Sequence, residues 1–127
     1  MNMRRLAELP LFQGLDEEAL RAVAAAVVEE SVEQGRVLVR EGDYSQDLTI
    51  IDEGTASVEH DGQELAKLEA GSMFGEMGLL RKEQRNATVR AATDMRLLHL
   101  TKFDLNRLRG SAPQVLERIQ QIVDERS

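Results

Sequence analysis

The spacing of apolar residues predicts a helical N-terminal segment, residues 1–30. Asp16 is a residue type that caps helix N-termini, and helical spacing is shared by the apolar positions that follow it, Leu20, Val23, Ala24 and Val27. The preceding stretch LPLFQGL is punctuated by Pro10 and Gly14. It is predicted to be a short turn that buries its large apolar side chains, Leu11, Phe12 and Leu15.

From residue 31 to residue 101 the pattern changes to short runs bounded by turn residues, which predicts β-structure. The runs RVLVREGD and DLTIIDEG end at Gly42 and Gly54. In TASVEHDGQELAKL, Asp61 and Gly62 supply the turn of a predicted hairpin. Two further runs, ATVRAAT and MRLLHL, are separated by Asp94. Some seven or eight short strands at this spacing are typical of a sandwich or jelly roll.

Residues 102–127 return to a helical pattern. Thr101 and Asp104 have the spacing of a capping box, and Ser111 with Gln114 repeats it, with Pro113 in the tolerant first turn. One apolar stripe follows, Val115, Leu116, Ile119, Ile122 and Val123. This stripe is predicted to pack on the β-structure or on a neighbouring chain.

Composition limits the function classes. The chain has 127 residues, the size of one domain, with 42% hydrophobic and 31% charged residues and a formal net charge of -7. This charge argues against nonspecific nucleic-acid binding, although a local basic pocket for one anion remains compatible with it. Cysteine is absent, which excludes disulfides, and no run reaches the roughly 20 apolar residues of a membrane span. A cytoplasmic location without membrane contact is expected.

Catalysis and metal binding have no support in the sequence. His60 and His99 lie far apart in different predicted strands, without the clustered ligands that a metal site needs. Motifs of hydrolases, zinc proteases and P-loop enzymes are absent. We therefore expect no enzyme, no catalytic residue and no metal ligand.

The segment FGEMGLLRKEQRNATVRA, residues 74–91, has the features of an anion site. Gly75 and Gly78 permit close approach of a ligand to the backbone, and residues 76–82 have the composition of a short helical turn with free amides at its start. Arg85 offers a planar fork for phosphate oxygens, while the Glu76 carboxylate suits a sugar hydroxyl. The residues alone leave open the alternative that Glu76 and Arg85 form a structural ion pair on a loop.

This segment resembles the phosphate-binding cassette of the cyclic nucleotide-binding domain family. The family pattern F-G-E, a small hydrophobic helix and R-x-A-[ST]-[VI] is present, with nine residues from Glu76 to Arg85. The stretches LPLFQGLDEEAL, VREGDYSQDLTIIDEG and LEAGSMFGE are similar to flanking parts of the family, so about residues 6–125 are covered.

The resemblance implies one domain, residues 1–127, with an eight-stranded antiparallel jelly-roll β-barrel, cassette 74–89 and helices at both ends. It implies that Glu76 accepts a ribose 2′-hydroxyl and that Arg85 binds the cyclic phosphate. The ligand-binding residues implied are Phe74, Gly75, Glu76, Met77, Gly78, Arg85, Asn86, Ala87 and Thr88. Ala66 and Leu68 are expected to border the base together with Phe74.

The sequence departs from the family pattern at Asn86, at Thr49 and at Gly78, where alanine is more common, and also in its last helix. Asn86 stands where Ala, Ser or Thr is common, which leaves the choice between cyclic AMP and cyclic GMP open. Thr49 stands where an aromatic residue is common, and it is interpreted as a packing residue. The last helix has no aromatic residue to cover the base, so Arg126, with Arg118 as the alternative, is the candidate lid.

The expected function is that of a regulatory domain which binds a cyclic nucleotide, cyclic AMP before cyclic GMP, and signals by movement of its C-terminal helix. No other cofactor is expected. The expected partners are the nucleotide and a fused or associated effector, and a homo-oligomer is possible under the same reading. Nucleic acid is not an expected partner. Bacterial ion channels are among the proteins of this family that carry such a domain. The alternatives are a degenerate fold that acts in structure or protein interaction, and the sensor half of a transcription factor of the catabolite-activator type.

Overall fold

The computed structural model describes residues 2–42, 47–75 and 87–126. Three helical segments come first, α1 (Met3–Glu8), a 3-10 helix (Pro10–Phe12) and α2 (Glu17–Ala26). Asn2 caps α1, and the Asp16 side chain caps α2 by accepting a hydrogen bond from the Ala19 amide at 2.8 Å. The predicted Asp16 cap is therefore confirmed, as is the burial of Leu11 and Phe12, whereas Leu15 is only half-buried.

Eight β-strands follow among the described residues. They are β1 (Val28–Val32), β2 (Val37–Val39), β3 (Asp47–Glu53), β4 (Ala56–His60), β5 (Gln63–Leu68), β6 (Met73–Phe74), β7 (Thr88–Ala91) and β8 (Met95–Thr101). β1 begins three residues before the predicted change of pattern at Ser31, because Val28 to Val32 pair with β8 over the whole strand. β2 covers only part of the run predicted to end at Gly42.

The strands form two four-stranded antiparallel sheets. The first has the order β1-β8-β3-β6 and the second β2-β7-β4-β5. The expected mainly β fold with flanking helices is confirmed, but within the described residues the hydrogen-bonded ladders do not close into a barrel. The two sheets instead face each other through side chains, as in a sandwich.

The predicted hairpin is confirmed between β4 and β5. Asp61 and Gly62 have φ values of 51° and 79°, the left-handed conformation that a tight two-residue hairpin turn requires. His60 pairs with Gln63 across this turn. A register shift between Val58 and Glu59 adds an irregularity to the hairpin.

Two apolar clusters lie on opposite sides of the first sheet, because alternate side chains of a strand point to opposite faces. The outer cluster is formed by the helices and by the strand residues Leu48, Ile50, Met73, Leu98 and Leu100. The inner cluster lies between the sheets and is formed by Val32, Ile51, Ala56, Phe74, Val89, Ala91, Met95 and Leu97. The first sheet is therefore covered on both faces, which explains why β3 is buried along most of its length.

A charged contact fastens α1 to the first sheet. The Arg5 Nε donates a hydrogen bond to the Asp52 carboxylate on β3 at 2.7 Å. This hydrogen bond raises the pKa of Arg5. The Asp52 residue is only 3% exposed, and a buried carboxylate without a cation would be unfavourable. Arg5 therefore holds the N-terminal helix against β3.

Two helices follow the sheets, α3 (Lys102–Ser111) and α4 (Pro113–Arg126). The predicted capping box at Thr101 and Asp104 is confirmed. The predicted Ser111 cap is wrong, because Ser111 is still the last residue of α3 and Ala112 connects the helices. The apolar stripe of α4 packs in the outer cluster of this same chain, with Val115, Ile119 and Val123 buried and Leu116 and Ile122 half-buried.

None of the helices among residues 2–42, 47–75 and 87–126 combines the length and the apolar character needed to span a membrane.

Candidate functional site

The two ends of the anion-binding motif lie at the inner cluster. Phe74 is the last residue of β6 in the first sheet, and Val89 lies on β7 in the second sheet; both are buried in that cluster. Gly75 has a φ of 95°, so the chain leaves β6 in a conformation that side-chain-bearing residues rarely adopt. The fold therefore brings the two flanks of the motif together from different sheets, although 14 positions separate Phe74 from Thr88.

The central residues of the motif lie outside the described residues. These are Glu76, Met77, Gly78, Arg85 and Asn86, together with the predicted helical turn at 76–82. Their roles stay predictions from the sequence. The described members of the predicted site are Phe74, Gly75, Ala87 and Thr88.

An apolar wall from the second sheet borders the flanks of the motif. Val58 on β4 pairs with Ala66 on one side and with Val89 on the other. Val58 and Leu68 pack against the inner cluster, and Ala66, two positions before Leu68, shares its strand face. These small and medium-sized side chains form an apolar surface on the inner face of the second sheet. Ala66 is exposed, so this wall is accessible.

Thr88 has a contact that the sequence did not reveal. Its hydroxyl accepts a hydrogen bond from the Glu41 amide at 3.2 Å. This bond ties the start of β7 to the segment after β2. It uses one acceptor position of the hydroxyl and leaves the hydroxyl proton available for another acceptor.

The comparisons with known proteins identify the family. The family model described as cyclic nucleotide-binding domain matches residues 29–111. The chain belongs to the cyclic nucleotide-binding domain family. The motif, the eight described strands and the flanking helices of this cyclic nucleotide-binding domain agree with that assignment.

The proteins with similar sequences include ion channels and regulatory subunits of kinases. A cyclic nucleotide-gated potassium channel of Rhizobium etli is 36% identical over 98% of this chain and 35% of its own length. A cAMP-dependent protein kinase regulatory subunit of Schizosaccharomyces pombe is 33% identical over 84% of this chain and 26% of its own length. The chain thus spans about a third or less of the length of these curated relatives.

Solved structures show the same fold. The catabolite activator protein of Thermus thermophilus superposes with a TM-score of 0.82 and 31% identity, over 92% of this chain and 57% of that one. The regulatory domain of Toxoplasma gondii PKA, crystallised with cAMP, superposes with a TM-score of 0.81 and 28% identity, over 97% of this chain and 48% of that one.

The two candidate lid arginines of this cyclic nucleotide-binding domain lie on α4. Arg118 Nη1 donates a hydrogen bond to the Leu11 carbonyl at 2.9 Å, and Arg118 Nη2 lies beside Gly14. Arg118 is therefore engaged with the N-terminal segment on the outer side of the first sheet, which does not fit the alternative of a lid over the base. Arg126 is the last residue of α4, and its side chain lies outside what the structure describes.

A cleft separates the second half of α4 from the turn between β5 and β6. Its volume is about 390 Å³. The residues that line it come from the 3-10 helix, from that turn and from α4, and they include Pro10, Leu11, Gly71, Ser72, Arg118 and Ile122. Because the turn leads directly into Phe74 and Gly75, α4 lies next to the start of the motif.

The structure supports the interpretation of Thr49 as a packing residue and adds a polar contact to it. Thr49 is buried, and its hydroxyl forms a hydrogen bond with His99 Nδ1 at 3.0 Å. His99 Nε2 in turn lies 2.9 Å from a carboxylate oxygen of Glu30, which also binds Arg36. The hydrogen bond from His99, supported by Arg36, lowers the pKa of the Glu30 carboxyl, against partial burial, which raises it.

The expectation that neither histidine lies among clustered possible ligands is wrong for His60, which has its chain neighbour Asp61 and the distant Glu41 beside it. Glu41, His60 and Asp61 lie together at the tip of the second sheet, and their potential ligand atoms are within 4.8 Å of one another. His60 Nδ1 and Nε2 lie 3.4 Å from Glu41 and Asp61, respectively. All three residues are exposed, and exposed acidic groups are common without a bound ion.

Proposed function

We propose that this chain is a regulatory domain that binds a cyclic nucleotide, cyclic AMP in preference to cyclic GMP, and that transmits binding through its C-terminal helix α4. One observation supports the proposal most: the two flanks of a complete cassette motif, at Phe74 and at Val89, lie in one apolar cluster although they come from different sheets, beside an apolar wall that is exposed at Ala66. A phosphate group and a flat base need such a combination of polar loop and apolar surface.

The roles proposed for the motif residues are those that the family resemblance implies, and the chemistry of Glu76 and Arg85 fits them. Arg85 binds the cyclic phosphate through a charge-assisted bidentate contact, and Glu76 accepts the ribose 2′-hydroxyl. Backbone amides of Gly78 and Ala87 assist at the phosphate, while Met77 and Asn86 complete the loop and Thr88 directs its hydroxyl proton to the ligand. Phe74, Ala66 and Leu68 border the base, and Arg126 covers it from α4.

Transmission to α4 is supported by its position. The helix is docked on the outer cluster and borders the turn that precedes Phe74. A ligand that holds the motif in one position changes the stability of this docked arrangement only by the difference in its affinity for the two states. The effector that responds lies elsewhere in the parent protein or in a partner, and the domain itself performs no catalysis.

Isothermal titration calorimetry with cyclic AMP and cyclic GMP tests the proposal. The unaltered domain is expected to bind cyclic AMP more tightly, and Arg85→Ala to lower that affinity at least about a hundredfold, because the phosphate loses its only assigned cation. Arg21→Ala is the matched control, since Arg21 pairs with Glu17 on the surface of α2, and it is expected to leave affinity unchanged.

Two results would contradict the proposal in different ways. If neither nucleotide binds the unaltered domain, the alternative of a degenerate structural or protein-interaction domain is favoured. If Arg85→Ala binds as tightly as Arg21→Ala, the assigned role of Arg85 is wrong while nucleotide binding stands. Thermal melting gives an independent check, because a ligand at 100 times its Kd adds about 2.7 kcal/mol of stability.

A further inference from the structure

Phe103, in the first turn of α3, is the most exposed of the large apolar side chains that the structure describes. It is 81% exposed, whereas Phe12 and Phe74, the other two phenylalanines of the chain, are buried. It points away from the outer cluster, because the buried residues Leu105 and Leu108 lie on the opposite side of the helix. Aromatic side chains contribute strongly to protein interfaces, since their burial removes a large apolar area from water. Phe103 therefore has the properties of an interface anchor.

A groove between α2 and α3 lies beside Phe103. Its volume is about 220 Å³, and it is lined by Ala22, Ala25, Ala26, Arg107, Leu108 and Ser111. Arg107 and Ser111 follow Phe103 at intervals of four residues, so the three residues line up along one side of α3, and Phe103 stands one helical turn before the groove. Because a cavity of about 150 Å³ holds benzene, the groove has room for a phenyl ring. A protruding ring and a groove that fits such a ring are thus neighbours on one surface.

The two helices carry opposite charges along this groove. On α2, the exposed Glu18 lies one turn before Ala22, and on α3 the exposed Arg107 forms part of the groove wall. Within the described part of the chain, neither charged side chain takes part in an ion pair or a hydrogen bond. The neighbouring Glu17 differs, because it pairs with Arg21. The surface therefore offers one carboxylate and one guanidinium that a partner can match.

A second copy of this chain matches all of these features at once. In a two-fold symmetric pair the same surface faces itself, so that each Phe103 can meet the groove of the other copy and each Arg107 the other copy's Glu18. A partner of another kind would have to supply its own ring, groove and pair of opposite charges. The net charge of -7 makes two copies repel each other at a distance, so association depends on this local complementarity.

We propose that the α2–α3 surface, formed by Glu18, Ala22, Ala25, Phe103 and Arg107, is the interface of a symmetric dimer in which the Phe103 ring of each copy enters the groove of the other. The two helices have 10 residues each and are therefore only about 15 Å long. Such a small face, together with the repulsion between acidic chains, predicts a weak dimer with a Kd of about 0.1–1 mM and a monomer at low micromolar concentration. The interface includes no residue of the cassette motif, so the inference does not depend on the proposed function.

Sedimentation equilibrium from about 5 µM to about 1 mM tests the inference. The unaltered chain is expected to have the mass of a monomer at the lowest concentration and to move towards the mass of a dimer at the highest. Phe103→Ala is expected to raise the Kd at least about tenfold, because the central anchor is lost. Leu65→Ala is the matched control: Leu65 on β5 is also a large apolar side chain, 63% exposed, but it lies outside the α2–α3 surface, so its loss is expected to leave the Kd unchanged.

Charge reversal distinguishes a second copy from a different partner. Arg107→Glu places two carboxylates opposite each other at both contacts and is expected to raise the Kd about tenfold. The double variant, Glu18→Arg with Arg107→Glu, restores opposite charges between the copies and is expected to return the Kd to within about threefold of the unaltered value. Both positions are exposed, so circular dichroism is expected to show an unchanged fold in these variants.

Three results would overturn the inference. A chain that stays monomeric at about 1 mM leaves the groove to a different partner. Dimers that persist in Phe103→Ala, or that are lost in Leu65→Ala, show that another surface associates. A double variant that associates no better than Arg107→Glu shows that the two charges do not meet across a two-fold axis. None of these results bears on nucleotide binding, which calorimetry tests separately.

Discussion

At the residue scale, Gly54 shows a requirement for one residue type that the pattern of apolar and polar positions does not reveal. Gly54 between β3 and β4 has a φ of 97°, and a Cβ at this position would lie 2.5 Å from the Asp94 carbonyl oxygen and 2.8 Å from Met95 Cγ. The turn therefore needs glycine for two reasons, the backbone conformation and the close approach of the segment before β8. Asp94 separates two predicted strands in the sequence, but its contact with Gly54 is a property of the fold.

Gly54→Ala is expected to lower the free energy of unfolding by about 3 kcal/mol, because left-handed strain and a clash with backbone act together. Chemical denaturation measures this change. Gly110→Ala is the control, since a Cβ added at Gly110 in α3 would meet no atom within 4 Å, and it is expected to raise stability by about 0.5 kcal/mol. Equal changes in the free energy of unfolding for the two substitutions would show that the close contact at Gly54 does not affect stability.

At the element scale, the contacts of α4 determine what its proposed movement would require. It contacts the 3-10 helix, α3 and the outer cluster, and the Arg118 contact with Leu11 joins its middle to the N-terminal segment. It is separated by the cleft from the turn before Phe74. Displacement of α4 therefore requires rearrangement of side chains on one face, without breaking any strand pairing.

Under the proposed function, saturation with cyclic AMP is expected to change the distance between α4 and the second sheet by about 2 Å or more. Because the chain lacks cysteine, spin labels attach only to introduced residues, here Gln121→Cys with Glu64→Cys, and double electron–electron resonance measures the distance. The label pair Glu33→Cys with Glu64→Cys, both exposed sites outside α4, is the control and is expected to stay constant. If nucleotide binds and neither distance changes, α4 does not transmit the signal.

At the scale of the whole molecule, the two clusters depend on one sheet. The outer cluster contains Phe12 and covers one face of the first sheet, while the inner cluster contains Leu97 and covers the other. Strands β3 and β8 contribute buried side chains to both clusters. The helices and the second sheet are therefore expected to unfold together, as a single cooperative unit.

Phe12→Ala is expected to lower the free energy of unfolding by about 3–5 kcal/mol and Leu97→Ala by about 2–5 kcal/mol, because each side chain is fully buried. Both variants are expected to show one unfolding transition when far-ultraviolet and near-ultraviolet circular dichroism are followed in the same denaturant titration. Phe103→Ala is the control, because Phe103 is 81% exposed, and it is expected to change stability by less than about 0.5 kcal/mol. Two separate transitions in either core variant would contradict the single unit.

The sequence alone determined the local features of this protein. The Asp16 cap, the Thr101 capping box, the Asp61–Gly62 turn and the apolar stripe of α4 depend on neighbours within a few residues, and all four are confirmed. The cassette motif is also a local pattern, and it identified the family that the comparisons then showed.

Only the tertiary structure decided which distant residues meet. His99 on β8 contacts Thr49 on β3, 50 positions away, and Glu30 on β1, 69 positions away. The spacing of apolar residues along the sequence does not predict contacts between such distant residues. The same holds for Arg118, which the fold directs to Leu11, and for the division of the strands into two sheets. Local preferences arise from backbone sterics and near neighbours, whereas these contacts exist only after the sheets have paired and selected their faces.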